Sequence, residues 1–343
     1  MEIDHYMNEG PLLDKDGNLA EPGYAKKLVK KYDRKMINAP KFLIKEWDYY
    51  YVGNKDNGIA LIIADNGYMS MLSISYLDFN SKKEITRSKM GWFPLGKINM
   101  PSNSSEGDVS YSLGKVSISF VLEGNKRHLK AYYPNFDKKG NSFRCDVILT
   151  PTIDDTLVIA TPFKKPHRFY YNQKINLLSS GGYAKIGDKY IDLNGSTYGV
   201  LDWGRGVWEY SSTWYWSSLS SIMDGVKIGF NFGYGFGDTK AASENIIYYG
   251  DSSYKIREVR MDIPLKKNGN FDYLGKWKFR SPTGEVDLEF TPILDRKAIS
   301  SALIIESRQH QVFGLFNGKL LLDGKMVIVK DLLGFAERVH NRW

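Results

Sequence analysis

Cysteine is nearly absent from this chain of 343 residues: Cys145 stands alone. An intramolecular disulfide is therefore excluded, and a reducing, cytoplasmic home is the expectation. Histidine is scarce as well. His5, His128, His167, His310 and His340 never fall two, three or four residues apart. No local metal-binding pattern exists, so neither a metal nor a cofactor is expected. No apolar run reaches the roughly 18 residues of a membrane helix, so no membrane span is expected. The N-terminal MEIDHYMNEG lacks the apolar core of a signal peptide. There is no phosphate loop, no G-x-S-x-G elbow and no H-E-x-x-H.

Charge is present in ordinary amount but leans positive, with a formal net charge of +8. That balance permits an anionic ligand without requiring one. The basic clusters KKLVKKYDRK (Lys26 to Lys35) and KKPHR (Lys164 to Arg168) read as solvated faces. No zinc-finger spacing or RNA-recognition aromatic signature accompanies them, so nucleic acid is not an expected partner.

What the chain has in quantity is aromatic residues and glycine: 23 Tyr, 17 Phe, 8 Trp and 32 Gly. These suit twisted sheets joined by tight turns. Residues 1–40 read as an irregular arm. Asp14-x-Asp16-Gly17 within it is similar to a calcium loop, but the glycine comes too early and no closing Glu follows, so a tight turn is expected. From Phe42 onward, short β-branched and aromatic segments follow one another, punctuated by Gly, Asn and Asp. TPFKKPHR (Thr161 to Arg168) suggests a boundary. The expected organisation is thus an arm over 1–40, one barrel over 41–165 and a second over 166–343, the second carrying the DWGRGVW motif. DLLGFAERVHNRW reads as a short C-terminal helix: Asp331 would cap it, and Leu332, Phe335, Ala336 and Val339 would form its apolar stripe. The fold class is all-β, since strands never alternate with long helices, and so many strands must hide their edges in closed sheets.

One segment concentrates chemistry. DWGRGVWEYSSTWYW (Asp202 to Trp216) holds four of the eight tryptophans, Trp203, Trp208, Trp214 and Trp216, with Asp202, Arg205 and Glu209 among them. Such charges are common on surface strands. In a functional reading, a carboxyl among indoles is desolvated and becomes a proton donor usable near neutral pH. Arg205 would hold a second carboxylate or bind an anionic substrate group. The indole faces would meet a ring, a polyene or a developing cation. GYGFGD (Gly233 to Asp238) has no crossover unit after it, so it reads as a glycine-rich strand that another segment or a ligand approaches closely. Tyr234, Asp238 and Glu244 are further candidates for the same cavity, and His310, set in an apolar strand, is a candidate acid or base or a structural histidine.

KEWDYYYV, FYYNQKIN, YGVLDWGRGVWEY, GYGFGDTKAASEN, HQVFGLFNG and KDLLGFAERVHNRW resemble the bacterial domain-of-unknown-function family 2804, from about Leu12 to Trp343. More distantly, GVLDWGRGVW, WYWSSLSSIMDG and LLGFAERV are similar in order to motifs of the carotenoid hydratases, the AttH-like proteins and some lipocalin-fold Diels–Alder cyclases. The matching positions are Gly199 to Asp202, Trp214 with Trp216, Asp224-Gly225, and Gly334 to Glu337. The chain has no tryptophan two places before Asp202, and Trp203 stands where that group often has histidine. This resemblance implies two lipocalin-like antiparallel β-barrels, and it implies Asp202 as the acid that protonates an alkene before water captures the cation.

The expected function is therefore a hydratase-, lyase- or isomerase-like enzyme using carboxylate acid/base chemistry on a small unsaturated or cyclic substrate. Asp202, Glu209 and Glu244 are the catalytic candidates. Trp203, Arg205, Trp208, Trp214, Trp216, Tyr234, Asp238 and His310 are the substrate-binding ones. The partner is a small molecule. Two alternatives stay open: a non-catalytic carrier of a lipophilic ligand, and a glycoside hydrolase with paired carboxylates.

Overall fold

The computed structural model describes residues 4–302 and 305–342. Antiparallel strands dominate, and the only helical pieces among these residues are two short 3₁₀ turns, Arg34–Met36 and Lys41–Leu43. The chain divides into two compact units: Tyr6–Trp208, and the residues up to His5 together with Glu209 onward. The boundary suggested near 165/166 falls inside the first unit. Leu157–Pro162, Phe169–Ile186 and Tyr198–Val207 all join one sheet, so the DWGRGVW motif ends this unit rather than opening the next. The prolines and basic residues of TPFKKPHR mark a turn between two paired strands of one sheet.

In the Tyr6–Trp208 unit the sheet runs Lys83–Trp92, Met69–Asp78, Asn57–Asp65, Ile44–Gly53, Tyr198–Val207, Phe169–Ile186, Phe143–Pro151, Lys126–Tyr133, Val116–Glu123, Val109–Leu113. Its two ends meet: the Ser70 and Tyr111 hydroxyls lie 2.9 Å apart, so the sheet curls into a near-barrel. Alternate residues such as Tyr50, Val52, Leu61, Ile63, Phe120, Leu129, Val147, Leu201 and Trp203 fill it. The expected arm over 1–40 is tied down at several points. Gly23–Ala25 pairs with Leu157–Pro162, and the Tyr171 hydroxyl donates to the Lys30 carbonyl at 3.0 Å. Within the arm, Asp14 Oδ1 accepts from the main-chain N–H groups of Asp16 and Asn18, which closes the expected tight turn.

In the second unit the sheet runs Ser252–Lys255, Ile246–Tyr249, Val226–Tyr234, Ser211–Met223, Lys325–Arg342, Ile305–Leu322, Val286–Ala302, Trp277–Arg280, Arg260–Asp262. Its core is Phe-rich: Phe230, Phe232, Phe279, Phe290 and Phe316 pack ring against ring, edge-on and face-on, and Trp277 meets Phe290 edge-on. Asp224-Gly225 and Asp323-Gly324 turn two of its hairpins with positive φ at both residues, the geometry that Asp-Gly favours.

The expected C-terminal helix is a strand, Lys325–Arg342, lying between Ser211–Met223 and Ile305–Leu322; Trp343 lies outside the described residues. The reason is burial on both faces. Gly334, Phe335, Ala336 and Glu337 are all buried in succession, so the alternation of a half-buried strand is lost and the apolar positions imitate a helical stripe. Asp331 does not cap anything. It sits at a bulge with φ of 50°, where its N–H donates to Asn317 Oδ1 at 2.9 Å.

Candidate functional site

Every residue of the strand Tyr198–Val207 is buried. It lies between Ile44–Gly53 and Phe169–Ile186, and the register pairs Asp202 with Tyr49 and Lys174, and Trp203 with Asp48 and Gln173. Successive side chains point to opposite faces. The motif is thereby split: Asp202 and Trp208 go to one face, Trp203 and Arg205 to the other.

On the first face Asp202 is 7% exposed. Its Oδ1 meets Lys174 Nζ at 2.7 Å and accepts from Asn172 Nδ2 at 2.5 Å; its Oδ2 accepts from Trp47 Nε1 at 3.1 Å. Asn172 is fixed in turn by donating to the Trp203 carbonyl at 2.7 Å. The Trp47 indole stacks on Tyr170 (5.8 Å, 14°) and meets Trp208 edge-on (4.6 Å, 76°). Gly204 makes this possible. A Cβ there would stand 2.2 Å from Trp47 Cζ2. The Lys45 side chain shares this face. Its Nζ donates to the Asn66 carbonyl at 2.7 Å and lies over the Tyr68 ring, and burial lowers it to about 7.

On the opposite face Arg205 is wholly buried. Its Nη1 donates to Asp48 Oδ1 at 2.9 Å and to the carbonyls of Trp47 and Gly204. Nε and Nη2 both donate to the Pro101 carbonyl. The guanidinium lies 4.2 Å above the Trp203 ring. Beside it Glu46 accepts from the Tyr32 hydroxyl at 2.7 Å and pairs with Arg34. Burial pushes the Asp48 and Glu46 carboxyls up, while Arg205 opposes the rise at both. A cavity of about 10 Å³, room for roughly one water, lies against Asp48, Tyr50, Arg127 and Trp203.

The remaining candidates lie in the second unit. Trp214 Nε1 donates to Glu337 Oε1 at 3.1 Å, and Gln311 donates to the other oxygen at 3.1 Å. Trp216 Nε1 donates to Asn231 Oδ1 at 2.6 Å, and Asn231 Nδ2 donates to the Glu244 carbonyl at 2.7 Å. Glu244 is buried, and its carboxyl lies over Gly233, the close approach expected of the glycine-rich strand. Tyr234 stacks on Tyr215 at 4.6 Å, and burial pushes its hydroxyl up to about 12. His310 Nδ1 lies 2.7 Å from Asp295 Oδ2, and its ring stacks on Tyr273 at 3.7 Å. Asp238 is exposed in a turn where its carboxylate accepts from the Lys240 N–H, and Glu209 is half-buried at the start of this unit.

Sequence reasoning passed over Asp48, Trp47, Asn172 and Lys174. The available signal was chemical: KEWDYYYV and FYYNQKINLL put charges and amides into strands that otherwise read as core. No group of His, Cys, Asp and Glu among the described residues is arranged to hold a metal ion.

Among solved structures, the fold is shared with kievitone hydratase from Nectria haematococca at 11% identity and a TM-score of 0.54, covering 97% of this chain and 98% of that one. An AttH-like protein from Nitrosomonas europaea matches at 12% identity and a TM-score of 0.53, with 91% and 98% covered. CghA in complex with Sch210972 matches at 8% identity and a TM-score of 0.50, with 98% and 97% covered. These likenesses fix the fold as the expected pair of lipocalin-like antiparallel sheets. No curated protein matches the sequence. The family model for the domain of unknown function DUF2804 matches residues 4–343, and the chain belongs to that family.

Proposed function

We propose that this protein is an enzyme that moves a proton on a small unsaturated or cyclic molecule, in the manner of a hydratase, lyase or isomerase, with Asp202 and Lys174 as the proton-handling pair. One observation carries the reading: a buried carboxylate and a buried ammonium 2.7 Å apart, beside the rings of Trp47, Tyr170 and Trp208. A carboxylate has about four acceptor positions. Lys174, Asn172 and Trp47 occupy three of them, which leaves one for a substrate proton. Transfer of a proton from Lys174 to Asp202 turns the same pair into a neutral amine and a carboxylic acid, so one site can both take and give. Indole faces stabilise positive charge developing in a substrate. The shared fold with a protein named as a hydratase is compatible with gain or loss of water as the overall reaction. The pair is self-contained, so the reading does not call on Glu209 or Glu244.

Glycoside cleavage needs two carboxyls facing one cleft. The neighbouring buried carboxyls, Asp202 and Asp48, point to opposite faces of the sheet, which does not favour it. The test of the proton-transfer reading is a panel of unsaturated and cyclic small molecules incubated in light and heavy water. Mass spectrometry would follow gain or loss of one water, or deuterium incorporation. Asp202→Asn is expected to lower turnover by about 10²–10⁴-fold with ligand binding retained. Undiminished turnover in that variant would remove Asp202 from the chemistry.

A further inference from the structure

One rim of the Tyr6–Trp208 unit keeps large apolar side chains in water. Trp92 is 71% exposed and Phe93 63%, and Met90, Phe42 and Met36 are exposed as well. Single exposed apolar residues are ordinary on protein surfaces, so what matters is that these lie together. Trp92 and Met90 share one side of their strand, paired with the half-buried Met69 and Met71. The Phe93 N–H donates to the Tyr68 carbonyl at 2.9 Å, and the Leu95 N–H to the Gly67 carbonyl at 3.1 Å. The carbonyls of Lys41 and Phe42 pack against Gly67, and the Arg34 side chain, two residues before Met36, packs on Gly96. Phe93 is held outward under strain. Its φ is 50°, the left-handed region that a bulky side chain rarely adopts, and Leu95 has φ of 52°. Such conformers persist where surrounding bonds over-determine them. The two main-chain bonds do so here, together with the Gly96 N–H on Asp65 Oδ2 at 2.8 Å. The exposed charges of residues 33–42 and 90–99 are Lys35, Lys41 and Lys97 against Asp33. The TPFKKPHR turn adds exposed Lys164 and Lys165 at the same end of the sheet, where Phe169, Val207 and Ile44 pair across three strands. The acids Glu106 and Asp108 belong to the following loop, where Asp108 accepts from the Leu122 N–H.

We propose that this rim docks the protein onto the surface of an anionic lipid bilayer, with Trp92 and Phe93 entering the headgroup boundary and the surrounding lysines on lipid phosphates. Aromatic rings ringed by lysine suit that boundary, where the ring is buried and the ammonium stays wet. Each lysine near the surface adds attraction to anionic lipid. A protein partner fits less well, because lysine is depleted from protein interfaces. The docking is peripheral, made by side chains at one end of the sheet, and it does not depend on the chemistry at Asp202.

The probes are vesicles of phosphatidylcholine alone and of phosphatidylcholine mixed with phosphatidylglycerol. The full chain is expected to sediment with the mixed vesicles at low salt, less so as salt is raised, and weakly with the neutral ones. Brominated lipid should quench tryptophan fluorescence in the wild type and far less in Trp92→Phe. Trp92→Ser with Phe93→Gly is expected to lower partitioning by about tenfold or more. Lys41→Glu and Lys97→Glu should each lower it by about fivefold. Phe93→Gly alone separates docking from folding: it relieves the left-handed strain, so it should bind less while melting no lower than the wild type. Sedimentation with neither vesicle overturns the proposal, as do equal binding to both kinds and undiminished binding of the double variant. Self-association that the double variant abolishes, without lipid binding, would assign the rim to a second copy of the chain instead. The wild-type measurements alone can reject the docking, so failure of a variant to fold leaves it decidable.

Discussion

Lys174 Nζ lies 2.7 Å from Asp202 Oδ1, and the two residues are direct partners on neighbouring antiparallel strands. Both side chains are at least nine-tenths buried. Removing one member of such a pair strands the other charge, so Lys174→Met is expected to cost about 3–5 kcal/mol. Asp202→Leu combined with Lys174→Met should recover most of that loss, because an apolar pair has no charge to desolvate. Urea denaturation of the two single variants and the double variant gives the coupling energy. Simple additivity would mean that the pair does not interact as the geometry says.

Gly204 is the second point at which the Asp202 face is vulnerable. A Cβ there would stand 2.2 Å from Trp47 Cζ2, so Gly204→Ala should push the indole away from Asp202. An overpacking cost of about 1–3 kcal/mol is expected, with a change in tryptophan fluorescence as Trp47 leaves Tyr170 and Trp208. An unchanged spectrum and unchanged stability would show that Trp47 is not held where the structure puts it.

Lys45 makes stability depend on pH. Burial lowers its amine from 10.5 to about 7, against the attraction of Asp65. Between those values the unfolded chain binds a proton that the folded chain does not, so stability rises as pH increases from 7 toward 10. Lys255, lowered to about 8 by burial, acts in the same direction over a narrower window. Urea midpoints measured across this range should climb, and Lys45→Met should flatten the lower part of the climb.

Cys145 should be inert while the protein is folded. It is buried, and burial pushes its thiol up to about 12, so the reactive thiolate is scarce at neutral pH. Ellman's reagent is expected to label it only as fast as the sheet opens. Rapid labelling without denaturant would show that the strand Phe143–Pro151 is not closed over it.

The sequence by itself determined a great deal about this protein: short β-branched and aromatic segments, Asp-Gly turns and the missing cysteines and metal spacings all follow from local chemistry. All-β architecture and the family could be read from those residues alone. The helix expected over 331–343 failed for a physical reason. A strand covered on both faces loses its period of two, and nothing local then separates Leu332, Phe335, Ala336 and Val339 from a helical stripe. Only the tertiary structure decided which side chains meet. Asp202 and Arg205 are close in sequence, but the pleat sends them to opposite faces. Their partners come from strands far away in the chain, Lys174 and Asn172 in one direction, Trp47 and Asp48 in the other. Strand register is set by packing across the whole sheet, and no short window of sequence contains it.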